Sequence, residues 1–241
     1  MRDYDARAGA VGLARDEPAG AIWRIALTEL PPVDDAMLRS LSVEERERAR
    51  RMAHPFVRGR YVRIHALLRQ FVVASLGPAC AERVRLMLGP HGKPLLAGTP
   101  PAERLHVGVA HAGSIALLAL CWERPIGVDV ERLRADVDEL AVAQRFFAPQ
   151  EAAAIAELRG LERREVFYRC WTRKEAYVKA RGFGLAQGSK RFAVTVERSA
   201  PRVAWDAEDP QAHRCWGMCD VAIDVSHAAA CVWRRCACVM E

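Results

Sequence analysis

Two carboxylates stand two residues apart in the apolar stretch Gly127-Val128-Asp129-Val130-Glu131. If that stretch is a strand, alternation puts Asp129 and Glu131 on one face, about 7 Å apart along the chain. Paired acids on an otherwise apolar strand repel each other and are costly to bury unless a cation or basic groups sit between them. A small set of oxygen ligands suits Mg2+, which keeps some of its water and binds substrate phosphates. The competing reading is a strand end whose acids are solvated and paired with neighbouring arginines.

A second constellation follows at Trp171-Thr172-Arg173-Lys174-Glu175-Ala176-Tyr177-Val178-Lys179-Ala180. On a helix Trp171, Glu175 and Lys179 fall at i, i+4 and i+8, with Lys174 beside them. One carboxylate and two ammonium groups could complete a metal site and neutralise a pyrophosphate. The plainer alternative is an exposed helix with a Glu175–Lys179 pair, although a tryptophan on the same stripe argues against full exposure. Lys93 in Gly92-Lys93-Pro94 and His111 are further phosphate-binding candidates. Arg46, Arg48, Arg50, Arg51, Arg58, Arg60, Arg63 and Arg69 form an arginine-rich stretch without interleaved aromatics, which reads as a solvated helix face rather than a nucleic-acid site.

Elements that could position these groups are legible from periodicity. Ile22 to Leu27 reads as a first strand, and Ser42-Val43-Glu44-Glu45 has the capping-box form of a helix start. Pro55 ends that helix near His54. Val57, Tyr61, Ile64, Leu68 and Phe71, three or four apart, carry a longer second helix. Strands are expected at Val84–Leu88, Leu105–Val109, Ile115–Cys121 and Ile126–Val130, with turns over Gly89–Pro94 and Thr99–Pro101. Helical patterns dominate from Asp138 to Ala180 and stop at Arg181-Gly182-Phe183-Gly184. Strands return at Phe192–Val196, Asp220–Val225 and Ala229–Arg234. The expected class is α+β, in two lobes joined near Trp122, with residues 1–122 and 123–241 as the halves and a ligand cleft between them.

The chain has 241 residues, 51% hydrophobic and 27% charged, a composition that supports a real core and excludes low-complexity or collagen-like classes. Its net charge of +6 permits an acidic ligand or partner without naming one. Of 36 basic residues, Lys93, Lys174, Lys179 and Lys190 are the lysines and the rest are arginine. Met1 to Ala14 has no apolar core of a signal peptide, and Ile115 to Trp122 is far shorter than the roughly 20 residues of a membrane span. The expectation is therefore a cytoplasmic protein with no membrane partner. Eight cysteines then read as reduced thiols, with Cys80, Cys121, Cys170 and Cys231 in apolar surroundings. In the tail, Cys215, Cys219, Cys231, Cys236 and Cys238 lie near His213 and His227, but Cys236-x-Cys238 falls on a stretch that alternates like a strand, so structural metal is the lesser reading.

Gly127-Val128-Asp129-Val130-Glu131, followed by Trp171-Thr-Arg-Lys174-Glu175-Ala-Tyr-Val-Lys179-Ala-x-Gly182-x-Gly184-Leu185, resembles the paired signature of the 4'-phosphopantetheinyl transferases. Arg145-Phe146-Phe147-Ala-Pro-Gln-Glu151 and Phe167 also match. Upstream, Arg58-Gly-Arg60-Tyr61, His65-Ala-Leu67-Leu68-Arg69 and Gly92-Lys93-Pro94 fit the long, two-lobed members that activate peptide and polyketide synthases. The resemblance implies a pseudo-symmetric, monomeric α+β fold with coenzyme A between the lobes. It implies Asp129, Glu131 and Glu175 as Mg2+ ligands, and Glu175, or a water it orients, as the proton acceptor. Asp129 and Lys179 join Glu175 in the catalytic set. Lys174 and Lys179 would contact the phosphates, and Lys93, His111 and Arg48 or Arg60 the nucleotide end. Glu151 matches an acidic position near the family's metal. The implied reaction transfers 4'-phosphopantetheine from coenzyme A to a serine of an acyl or peptidyl carrier protein. A catalytically silent coenzyme A-binding regulator of the same fold is the alternative. Around His111 the sequence Val107-Gly108-Val109-Ala110-His111-Ala112 lacks the small hydroxyl side chains usual in the family.

Overall fold

In the computed structural model, the described residues are 10–12 (backbone only), 20–77, 85–89, 93–98, 102–183 and 189–235. The sequence readings at Met1–Gly9, Cys80, Pro90–Gly92, Thr99–Pro101, Gly184-Leu185 and Cys236–Cys238 lie outside them. The fold is mixed α and β, built on two antiparallel sheets that face each other.

The first sheet has the order β1-β2-β6-β5, with β1 Ala10–Gly12, β2 Gly20–Ala26, β5 Leu105–Ala112 and β6 Ile115–Trp122. The helices α1 Asp35–Ser40, α2 Val43–Arg51 and α3 Pro55–Leu76 lie between β2 and the short hairpin β3 Arg85–Leu88 with β4 Pro94–Ala97. The second sheet has the order β10-β11-β7, with β7 Ile126–Arg132, β10 Trp216–Asp220 and β11 His227–Arg234. Between β7 and β10 come α4 Glu139–Phe146, α5 Pro149–Ala156, α6 Gly160–Arg181, the hairpin β8 Phe192–Val194 with β9 Val203–Asp206, and the short α7 Ala212–Cys215.

Strand alternation sorts side chains into three layers. Ile22, Leu117, Ala119 and Cys121 from the first sheet meet Ile126, Val128, Val130, Ala229, Cys231 and Trp233 from the second in one shared cluster. On the far side of the first sheet, Trp23, Ile25, Val107 and Leu118 receive Ile64, Leu68 and Phe71 of α3. On the far side of the second, Ala230 and Val232 receive Tyr168, Cys170, Ala176 and Ala180 of α6. Each sheet is thus covered outside by one helix of 22 residues.

Local chemistry sets the helix ends as the sequence reads. Ser42 and Glu45 form the reciprocal capping box of α2. Pro55 opens α3 at its first position, and Gly182 closes α6 in the left-handed conformation at φ 78°. The expected Asp220–Val225 strand is displaced: β10 ends at Asp220, because the Asp224 carboxylate accepts the Ser226 amide and hydroxyl and stabilises a turn there. Weakly patterned α1, β4 and β9 escape the sequence reading. Cys121, Cys170 and Cys231 are buried thiols as expected, whereas Cys215 is disulfide-bonded, so the expectation of reduced cysteines fails there.

The tightest approach is between α6 and β7. A Cβ on Gly127 would lie 2.2 Å from the Ala176 carbonyl oxygen and 2.4 Å from the Ala180 nitrogen. Both are backbone atoms, so Gly127→Ala must push the helix off the strand and is expected to cost at least the roughly 1–3 kcal/mol of an overpacked core. Thermal unfolding checks it; an unchanged midpoint would show that the contact is soft.

Candidate active site

Because Val128 and Val130 point into the layer between the sheets, Asp129 and Glu131 point the other way, toward α6. There Gly127 brings strand and helix into contact, and the next turn of α6 presents Glu175 and Lys179. The Lys179 ammonium donates to Asp129 Oδ1 at 2.6 Å. Asp129 Oδ2 is buried and has no hydrogen-bond partner. Three acids thus face one cation, and the energetics show the imbalance. Burial, then the Asp129 charge, with Lys179 opposing and Glu131 adding, pushes the Glu175 carboxyl up to about 7. Burial also raises Asp129, despite Lys179, and burial together with Asp129 raises Glu131. Lys179 is raised in turn: burial opposes its charge, but Asp129, Glu175 and Glu131 outweigh that.

The residues fit a hard divalent cation in chemistry. Excess negative charge, all-oxygen donors and an orphaned buried carboxylate oxygen are what Mg2+ would satisfy. The cage is not closed by protein alone, since among the described residues no group of three or more His, Cys, Asp or Glu side chains is drawn together closely enough to hold a metal ion. Such a site needs oxygens from water and from a bound phosphate.

Lys174 does not join this cluster. Its side chain is 0% exposed, against 35% for Lys179. Its ammonium donates to Glu151 Oε2 at 2.7 Å and to the Phe192 carbonyl, and lies 4.1 Å from the Phe192 ring centre. Lys174 lies one step around the helix from Glu175, and that step turns it from the cleft into the α6–β8 core. The expected phosphate contact is corrected to a structural ion pair. Glu151 is corrected with it: its carboxylate accepts from Ala148 N, Val194 N and Lys174, and does not face the acids.

Lys93 reaches the same neighbourhood from the first half of the chain. With Lys179, Gly108, Gly127 and Phe183 it lines a crevice of about 80 Å3, and its ammonium donates to the Ala180 carbonyl at 3.0 Å. Burial with no acidic partner lowers it to about 8. His111 stands near the end of β5, and its pKa is lowered by partial desolvation of the ring and by the charges of Arg60, Lys179 and His65. Arg60, His111 and Lys179 therefore share one electrostatic neighbourhood. Arg48 sits 5.9 Å from the centre of the Tyr61 ring, which stacks on His65 at 4.0 Å.

Sequence reading missed the support beneath these groups. Glu45 accepts from two Arg69 nitrogens and is bonded to His65, fixing the face of α3 behind Tyr61. Arg173, fully buried, forks onto Asp220 and donates to the carbonyls of Thr195 and Glu197. Adjacent to Lys174 in sequence, it carries no local signal of its role; only its long-range partners give it meaning.

Comparison with known proteins adds an independent line. Residues 125–232 match the family model described as the 4'-phosphopantetheinyl transferase superfamily. The chain is 33% identical to the 4'-phosphopantetheinyl transferase HetI of Nostoc over 166 residues, 69% of this chain and 70% of that protein. It belongs to the 4'-phosphopantetheinyl transferase superfamily. It is also 27% identical to the 4'-phosphopantetheinyl transferase Sfp of Bacillus subtilis, over 68% of this chain and 70% of that one. A phosphopantetheinyl transferase of Thraustochytrium matches at 28%, over 89% and 84% of the two chains. These relatives make this chain an enzyme of the 4'-phosphopantetheinyl transferase class.

Two predictions separate the roles of the neighbouring charges. Glu175 binds protons more tightly folded than unfolded, so it favours the native state at low pH and loses that advantage as pH rises from about 4.5 through about 7. Metal-free Glu175→Gln should therefore melt above wild type at pH 8, with the difference vanishing near pH 4.5 in calorimetry; a pH-independent gap would contradict the burial argument. Lys174→Met leaves the Glu151 charge buried and should destabilise by about 3–5 kcal/mol, whereas Lys179→Arg, which keeps a cation beside the buried Asp129, should retain the fold and lower turnover. Denaturant titration with a kinetic assay tells them apart.

Proposed function

We propose that this enzyme transfers 4'-phosphopantetheine from coenzyme A to a serine of an apo acyl or peptidyl carrier protein, in an Mg2+-dependent reaction that releases adenosine 3',5'-bisphosphate. The observation that carries the reading is the convergence of Asp129, Glu131, Glu175 and Lys179 on one face of β7 and α6, with Asp129 Oδ2 unpartnered and Glu175 raised to about 7. Asp129, Glu131 and Glu175 would hold the metal, which when bound supplies charge neutralisation at the pyrophosphate.

Lys179 has a flexible, partly exposed ammonium beside the acids, suited to contact a phosphate oxygen as charge develops on it. Lys93, across the crevice, supplies a second ammonium from the β3–β4 hairpin. Arg48 on α2 and Arg60 on α3 extend this positive field, with the His111 imidazole on β5 beside it, where the nucleotide end of coenzyme A would lie. Glu175, a carboxylate in the cleft beside Asp129 and Lys179, is the group placed to take the proton from the carrier serine, directly or through a water.

The same reading treats the chain as two pseudo-symmetric lobes, 1–122 and 123–241, acting as a monomer in the cytoplasm. The passage from β6 in one sheet to β7 in the other, and one long outer helix on each, support that division. No helix among the described residues is long and apolar enough to cross a membrane. Carrier domains of fatty-acid, polyketide or peptide synthesis are the proposed partners, and nucleic acid is not. A silent coenzyme A-binding regulator gains no support, because the acids and Lys179 are all present and brought together.

Incubation with coenzyme A, Mg2+ and apo carrier domains should add the phosphopantetheine mass to the carrier serine. Asp129→Ala and Glu175→Ala should each lower turnover by a hundredfold or more, with nucleotide binding falling far less. No mass gain across fatty-acid, polyketide and peptide carriers would overturn the assignment.

A further inference from the structure

The active-site reading leaves Arg46, Arg50 and Arg58 of α2 and α3 unused. They surround a cavity of about 520 Å3 between α1, α2 and α3 whose other lining residues are Val33, Leu38, Ala49, Pro55, Gly59 and Val62. Its floor is the small hydrophobic cluster in which Ala49 and Val62 are buried against Met37, Leu41 and Ala66. No carboxylate lines it, and among the described residues none of the three guanidiniums forms an ion pair. Arg46 is held in place by donating to the Leu41 carbonyl, while Arg50 and Arg58 are exposed at the rim.

Gly59 supplies a second, independent observation. It lies inside a long helix, where glycine is disfavoured relative to alanine. A Cβ there would meet only Val33 Cγ2, at 3.8 Å, which is ordinary contact. Packing within the protein gives no reason for a missing side chain, but a molecule seated against α3 does. The cavity volume lies within the range of small-molecule sites.

We infer that this cavity is a binding site, distinct from the catalytic cleft, for an amphipathic anion: an alkyl chain with an oxyanion head. The chain lies on Ala49, Val62, Gly59, Val33 and Leu38, and the head meets the guanidinium forks, whose paired N–H groups match carboxylate and phosphate alike. Arg48, the nucleotide-end candidate on α2, is not among the lining residues, so the two sites use different arginines of the same helix.

Calorimetric titration of the full chain with decanoate and with decyl phosphate, below their micelle concentrations and at low salt, tests the assignment and distinguishes the two heads. Decyltrimethylammonium serves as the cationic control. Saturable one-to-one binding of either anion supports the site, provided that Arg50→Glu/Arg58→Glu weakens it at least tenfold. Gly59→Leu should abolish it while the circular-dichroism melt stays near wild type. Equal binding of the cation, indifference to Gly59→Leu, or no binding of either anion overturns it. So does failure to bind either anion combined with a raised KM for the apo carrier in Arg50→Glu/Arg58→Glu, which would make the patch a protein-docking surface. Turnover of coenzyme A by the wild type is read separately, so this inference can fail while the proposed reaction stands.

Discussion

Everything chemical in this protein depends on the absence of one side chain. At Gly127 the backbone of α6 rests directly on the backbone of β7, closer than any Cβ would permit. From that contact the two periodicities run on: two residues along the strand comes Asp129, while Glu175 and Lys179 flank Ala176 and Ala180 on the helix. Acids that are remote in sequence are forced together in a space where water is scarce. Their raised proton affinities and the unpartnered Asp129 oxygen follow from that compression. A fold that relieved the repulsion by moving α6 outward would also lose the site.

The adjacent charges show how the same helix keeps structure and chemistry separate. Lys174 and Arg173 point to the sides of α6 that are covered by β8 and the chain after it; Lys174 is given two acceptors and the face of the Phe192 ring, and Arg173 the Asp220 carboxylate and two carbonyls. A buried charge that is fully paired is rigid and inert, whereas removal of its partner is costly. Lys179, one turn beyond Glu175, is left partly open and shares a single carboxylate oxygen. The difference between a strut and a phosphate-binding group is therefore saturation of partners, not residue type. Four lysines in an arginine-rich chain suggest three phosphate contacts at Lys93, Lys174 and Lys179; Lys174 instead fills a compact buried niche between Glu151 and the Phe192 ring.

Much of the architecture was legible from local rules. The capping box at Ser42, the proline at the start of α3, the apolar stripe from Tyr61 to Phe71 and the glycine that closes α6 act over a few residues, so their signals survive without tertiary information. The short elements were not legible. β4 and β9 have four residues each, too few for an alternating pattern to stand out, and the end of β10 is decided by a side-chain turn at Asp224 that competes with an apolar, strand-like run. The candidate site divided in the same way: the Asp129–Glu131 spacing and the Glu175–Lys179 stripe were readable, but the burial of Glu151 and the Glu45–His65–Arg69 network behind Tyr61 were not.

The sequence alone determined which groups could be brought to one face, because two residues per strand repeat and about four per helical turn are properties of the backbone itself. It therefore set Asp129 beside Glu131 and Glu175 beside Lys179 as two same-face groups, and the family resemblance joined them, with Lys174, into one expected site. Tertiary structure decided which charges face the cleft and which are enclosed, since one step of about 100° around a helix separates Glu175 from Lys174 and only packing states what lies on each side. It also decided the strength of the site, because proton affinity responds to burial and to neighbours brought from across the fold, and neither is written in the local order of residues.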